Sequence, residues 1–262
     1  MLDNLLNSQV RLGLTQSGFA ALATIAVVTL ARRRHIYLER ETLMALIRGL
    51  TQIMIIGSIL VLMLRAPPWT SILMLAAMTM AAAATSARRA KRIPGAFPVS
   101  LYAIAGGAGC VIALMAWAGV IGTAITALVP VGSMLIANAM NANGLALDRF
   151  RSEIVAHTGQ IEAGLALGAA PQQTVVPYVQ AAYQASLIPA IDNLRSLGIV
   201  WIPGLMAGMV LSGSPPLYAA MYQFVVLAMI FAASGITSLV STLLIRARLF
   251  TSAEQLILQP GR

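Results

Sequence analysis

A chain of 262 residues that is 59% apolar and only 10% charged is not an ordinary soluble domain, in which about 25% of residues are charged. Its net charge of +9 does not indicate nucleic acid, because the arginines gather in short connections between apolar runs instead of covering one surface. The single cysteine, Cys110, lies inside such a run and excludes a disulfide framework or a cysteine metal site; no cofactor is expected.

Seven apolar stretches follow one another at 12–31, 47–64, 72–86, 102–121, 125–145, 191–211 and 222–245, most of them as long as a bilayer crossing. The first is not a cleaved signal peptide. Asp3 and Arg11 precede it and Arg32-Arg33-Arg34-His35 follow it, the reverse of the signal-peptide charge order. It reads as a retained helix with its N-terminus outside. The second opens at Arg48. The third is short and weakly apolar through Ala81-Ala82-Ala83-Ala84, which suits a helix inside a bundle. After it comes Arg88-Arg89-Ala90-Lys91-Arg92, which holds the only lysine. The chain therefore has neither a Walker-type phosphate loop nor a Schiff-base lysine within a helix.

The fifth stretch places Met134, Asn138 and Asn141 on one helical face, at spacings of four and three. Asn143 and Ser133 lie off that line. Two readings stay open: hydrogen bonds between packed helices, or a pathway row offering oxygen and thioether ligands to a cation. The fourteen methionines scatter over all the helices and read as flexible packing.

The one long connection, 148–190, begins with an amphipathic stripe of Leu147, Phe150, Ile154, Ile161 and Leu165. A helix lying at the membrane interface is its plainest reading. His35 and His157 have no neighbours at ligand spacing and read as solvated. In the sixth stretch Asp192 and Arg195, three apart, can form a local ion pair, or Asp192 can meet a cation at a gate with Arg48 as a second partner. Pro203-Gly204 implies a kink or break, and Gly204 with Gly208 allows close helix packing, so a hinge or subunit interface is expected there. With the N-terminus outside, Arg32 to Arg34, Arg40, Arg88 to Arg92, Arg149, Arg151, Arg246, Arg248 and Arg262 all fall on the cytoplasmic side, against only Arg11 and Arg65 outside.

Directly after the stripe stands Glu162-Ala163-Gly164, then Gly168 and Pro171. This resembles the coupling motif of ABC-transporter permeases, in which Glu-Ala-Ala is followed after three residues by Gly. Further matching pieces are Arg48-Gly49-Leu50-Thr51-Gln52, Val129-Pro130-Val131-Gly132-Ser133-Met134, Asn138-Ala139-Met140, Leu187-Ile188-Pro189 and the run from Gly198 to Gly208. In order and spacing they resemble the FetB-type permeases, an ABC family of bacterial iron exporters with plant relatives linked to aluminium tolerance. Two departures stand out: Gly164 replaces the second alanine, and Leu187-Ile188-Pro189 lies about twenty residues beyond the motif instead of nine. A longer cytoplasmic helix is expected between them.

The expected fold is an all-α polytopic membrane protein of seven crossings, N-terminus outside and C-terminus cytoplasmic. It forms one permease domain, 1–262, with 148–190 as its cytoplasmic coupling segment. The resemblance implies a non-enzymatic subunit of an inner-membrane ABC exporter, acting as a homodimer with a separate P-loop ATPase and moving a small solute or metal cation, iron above all. Its coupling residues would be Glu162, Ala163, Gly164 and Gly168. The alternative is a secondary transporter driven by an ion gradient, which usually keeps ionisable groups near the bilayer midplane. A receptor lacks an extracellular ligand-binding extension here, and a membrane enzyme lacks clustered His, Asp or Glu.

Overall fold

A computed structural model describes residues 8–34, 39–63, 67–90, 93, 95–251 and 255–257. Asp3, His35, Arg65, Lys91, Arg92 and Arg262, on which the expected topology partly rests, lie outside the described residues. The chain divides into two compact units, 1–66 and 67–262.

The first unit holds α1 (Ser8–Arg32) and α2 (Glu39–Met63), packed side by side. A groove between them is lined by Ser17, Ala21 and Thr24 of α1 and Leu43, Ile47 and Leu50 of α2. Phe19, Leu22, Val27 and Leu30 of α1 are largely exposed. The hydroxyls of Thr15, Ser17, Thr24 and Thr29 all donate back to carbonyls three or four residues earlier. Such back-bonding satisfies these four hydroxyls within the helix, as a helix in hydrocarbon requires.

The second unit is helical throughout its described regular elements. In order these are α3 (Thr70–Ala87), a 3₁₀ turn (Arg88–Ala90), α4 (Ala96–Trp117), α5 (Ile125–Ala156), α6 (Thr158–Ala166), α7 (Pro171–Thr174), α8 (Val176–Ser196), α9 (Gly204–Leu211) and α10 (Pro216–Arg246). α10 packs on α4, α5, α8 and α9, and α3 packs on α4 and α5. Five described helices are long and apolar enough to cross a bilayer: Val10–Arg32, Thr70–Ala90, Ala96–Trp117, Ile125–Ala156 and Pro216–Arg246. The second expected crossing falls on α2, but its last residue, 64, lies outside the described residues.

The sixth expected crossing is not one helix. α8 stops at Ser196, residues 197–203 are not helical, and α9 resumes at Gly204. Gly198 takes φ +74°, a left-handed conformation that favours glycine. Pro203 lacks the N–H a continuing helix needs and turns Ile202 away from helical angles. The break is closed on itself: Gly198 N–H donates to the Trp201 carbonyl at 3.2 Å, and the Trp201 indole N–H donates to Ser196 Oγ at 3.1 Å.

Two apolar cores run along this unit. One joins α3, α4, α5 and α10 through Ile104, Met115, Leu135, Val226 and Ile230, with Leu194, Leu197 and Leu205 packed against it. The other joins Ala90, Ile93 and Ala96 to Leu147, Phe150, Ile154, Ile161, Val179, Ile245 and Leu249. The second core corrects the interfacial reading of the amphipathic stripe. Leu147, Phe150, Ile154 and Ile161 are all at most 1% exposed, buried in protein instead of lipid. α5, at 32 residues, spans about 48 Å, well beyond a hydrocarbon layer of about 30 Å, so its last turns can build this second core outside the bilayer. Arg88, Arg89, Arg149, Arg151, Arg246 and Arg248 stand at this end of the unit, whereas exposed Trp69, Trp117 and Tyr218 stand at the opposite helix ends.

Candidate functional site

The residues with motif character sit on α6, a helix of nine residues. Ile161 anchors it in the second core and Leu165 packs partly against that core. The opposite face is free: Glu162, Ala163 and Ala166 are exposed, and Leu167 is 89% exposed. Gly168 ends the helix at φ +85°. Its N–H donates to the Leu165 carbonyl at 3.0 Å, and the Ala169 N–H donates to the Gly164 carbonyl at 3.0 Å. That crossed pair of bonds is a Schellman C-terminus, which requires a left-handed residue where Gly168 stands.

Gly164 has a local reason as well. A Cβ there would lie 3.1 Å from Thr174 Cγ2 and press on α7, which packs against α6 at this point. The long helix expected after the motif is α8, which starts at Val176 and delays Leu187-Ile188-Pro189. Between α7 and the end of α10 lies a cavity of about 490 Å³ lined by Pro171, Gln172, Gln173, Arg246, Phe250 and Thr251.

Among the described residues of the second unit, no hydrogen bond or ion pair joins the expected pathway residues of α5 to Asp192 of α8. Asn138 donates its Nδ2 to the Met134 carbonyl at 2.8 Å, a bond within α5 and not between helices. Met134 and Asn138 are half-buried and Asn141 is exposed. Asn143, set off that line in the sequence, is the residue that reaches across: it is fully buried and its Nδ2 donates to Ser86 Oγ of α3 at 2.9 Å. Asp192 and Arg195 do pair on α8, at 3.9 Å with side chains 62% and 77% exposed, a geometry worth about 0–1 kcal/mol. Arg48 is exposed on α2 in the other unit. Pro203 is buried as the residue before α9, and open space surrounds the Cβ positions of Gly204 and Gly208 among the described residues.

His157 departs from the solvated reading. It stands half-buried at the junction of α5 and α6, beside Glu153 and stacked on Tyr178 of α8. Nothing in sequence spacing announces this contact, because Tyr178 comes from beyond two short helices, α6 and α7. Among the described residues no group of three or more His, Cys, Asp or Glu could hold a metal ion. A groove of about 730 Å³ between α3, α4 and α5, lined by Trp69, Ile72, Leu101 and Ile112 among others, has no charged residue in its walls.

Residues 14–250 match the uncharacterised protein family UPF0014. The rice (Oryza sativa subsp. japonica) UPF0014 membrane protein STAR2 is 32% identical over 240 residues, 90% of this chain and 84% of its own. The Probable iron export permease protein FetB of Escherichia coli (strain K12) is 27% identical over 239 residues, 91% of this chain and 92% of its own. The Arabidopsis thaliana Protein ALUMINUM SENSITIVE 3 is 30% identical over 246 residues, 93% of this chain and 90% of its own. No solved structure matches the chain. A match of this extent, on a chain with five helices fit to cross a bilayer, makes it a multi-span membrane protein of the UPF0014 family.

Proposed function

We propose that the chain is the permease subunit of an inner-membrane ABC exporter, with 1–262 as one permease domain and 148–190 as its cytoplasmic coupling segment. Two copies form one pathway, and a separate P-loop ATPase subunit docks on each coupling segment and carries out all the ATP hydrolysis. ATP-driven closure of the ATPases draws the two α6 helices together and turns the pathway outward. The cargo is a metal cation, with iron favoured because a relative spanning nearly the same length is named a probable iron export permease.

The observation that carries this reading is α6. It is a short helix fixed to a protein core by Ile161, capped by Gly168, and bare of large side chains at Ala163 and Ala166. A partner groove can approach a small-residue face closely, and Glu162 can meet cationic groups or a helix N-terminus there. The arginines at the same end support a cytoplasmic position. Met134, Asn138, Asn141, Asp192 and Arg48 are the pathway candidates. The broken segment 197–203 supports a pathway at α8 and α9, since non-helical backbone within a bilayer must face protein or water.

Purification of the tagged chain from its native membranes tests the assignment. A stoichiometric P-loop ATPase of domain size is the expected companion; a chain that purifies alone, under conditions preserving other transporters, sinks the ABC reading. Glu162→Lys is expected to insert and fold normally and to abolish substrate-stimulated ATP hydrolysis by the complex, because Glu162 is exposed and holds nothing in the fold. Unchanged hydrolysis removes Glu162 from the mechanism.

A further inference from the structure

The geometry points to His157 and Tyr178 as a rigid joint that transmits displacement of α6 to α5 and α8, a role that rests on α6 being the ATPase-coupling helix. α5 ends at Ala156 and α6 begins at Thr158, so His157 is the single residue between two helices. The carbonyls of the last helical turn ordinarily lack partners. Here the Glu153 carbonyl accepts the His157 N–H at 3.1 Å, and side chains from the joint reach it and the next two carbonyls. His157 Nδ1 lies 2.9 Å from the Glu153 carbonyl oxygen, which can only accept, so Nδ1 carries the proton. Thr158 Oγ1 shares its one proton between the carbonyls of Ile154, at 3.0 Å, and Val155, at 3.2 Å. On the other side, the N–H groups of Gln160 and Ile161 donate to the His157 carbonyl at 3.0 and 3.1 Å, opening the first turn of α6.

The third helix enters through Tyr178. Its ring stacks on His157 at a centroid distance of 4.8 Å and an angle of 23°, and its hydroxyl donates to Gln160 Oε1 at 3.1 Å. Glu153 completes the set, 3.5 Å from His157 Nδ1 and 2.6 Å from Arg149 Nη2, with a carboxyl side chain only 15% exposed. α5, α6 and α8 therefore meet in one polar and aromatic knot. α5 carries Asn138 and Asn141, and α8 carries Asp192 and leads into the broken segment. A push on α6 moves these helices only as far as the knot resists bending. Without it, Ile161 and Leu165 in the second core and the packing of α7 beside Gly164 remain to seat α6.

Two measurements on the full chain in lipid nanodiscs decide this. The first needs no ATPase: amide hydrogen exchange over 159–166. His157→Ala and Tyr178→Ala are expected to raise exchange about tenfold there while leaving 180–190 unchanged. Tyr178→Phe, which keeps the stack, is expected to stay within about threefold of the parent. Equal protection of α6 in all variants overturns the joint.

The second adds the ATPase subunit. Both alanine variants are expected to bind it with unchanged Kd but to lose about tenfold of the permease-stimulated kcat, with Tyr178→Phe restoring it. Loss of Kd in step with kcat would place these residues in the docking face and overturn the proposal, as would unchanged kcat. If the parent chain binds no ATPase, the exporter reading fails, and the exchange measurement still decides whether the joint exists.

Discussion

Gly107 and Gly164 show how much a missing Cβ decides in this chain. At Gly107 of α4 an added Cβ would collide with Thr237 Oγ1 and come within 2.7 Å of the Thr237 backbone nitrogen and 3.0 Å of the Ala233 carbonyl oxygen. Both neighbours belong to α10, and backbone atoms cannot swing aside as a flexible side chain can. Gly107→Val is therefore expected to destabilise the bundle by about 1–3 kcal/mol, read as a fall in thermal midpoint in detergent. Gly106→Val on the same helix is the control, because open space surrounds that position. Gly168→Ala forces a left-handed conformation on a residue with a Cβ and is expected to cost about 1–2 kcal/mol locally. Its signature is faster amide exchange confined to the end of α6, with the global midpoint little changed. A midpoint drop equal to that of Gly107→Val would mean that the α6 cap supports the whole fold.

Helix α5 changes surroundings along its length, and its residues follow. Its first half packs through Val131, Leu135, Ile136 and Ala139 in a core shared with α3, α4 and α10. Its last turns bury Leu147, Phe150 and Ile154 in the second core, where burial from water can drive folding. Phe150→Ala is expected to remove about 3–5 kcal/mol from that second core. Since Ile161 sits in the same core, α6 loses its seat at the same time. Limited proteolysis across 158–170 should then become rapid while α4 and α10 stay protected; uniform protection would show that α6 does not depend on this core. The sixth crossing makes the complementary point. Its apolar residues fit a helix at 191–211, yet Gly198 and Pro203 divide it and leave Ile199, Val200 and Ile202 exposed.

At the scale of the whole second unit, one helix-end surface carries arginines and the other carries Trp69, Trp117 and Tyr218. Arginines favour the cytoplasmic side, and amphipathic aromatic rings favour the membrane–water boundary. A cysteine at Leu167, placed in a Cys110→Ala background, should react with an impermeant thiol reagent only from the cytoplasmic face. Labelling from outside would invert the topology argued from charge.

The all-helical membrane class, the family, and the short helix ended by Gly168 were readable from the linear chain. Hydrocarbon length, charge bias and cap residues are local properties, and local properties are written in order along a sequence. The tertiary structure alone decided where the amphipathic stripe faces, because lipid and a protein core attract the same apolar residues. It alone turned Asn143 into a tie to Ser86 and His157 into a joint with Tyr178. Those partners are distant in the chain, and no periodicity encodes which helix will lie beside another. The break at 197–203 falls between the two: Gly198 and Pro203 mark it in advance, but the tryptophan that closes it needs three dimensions to meet its serine.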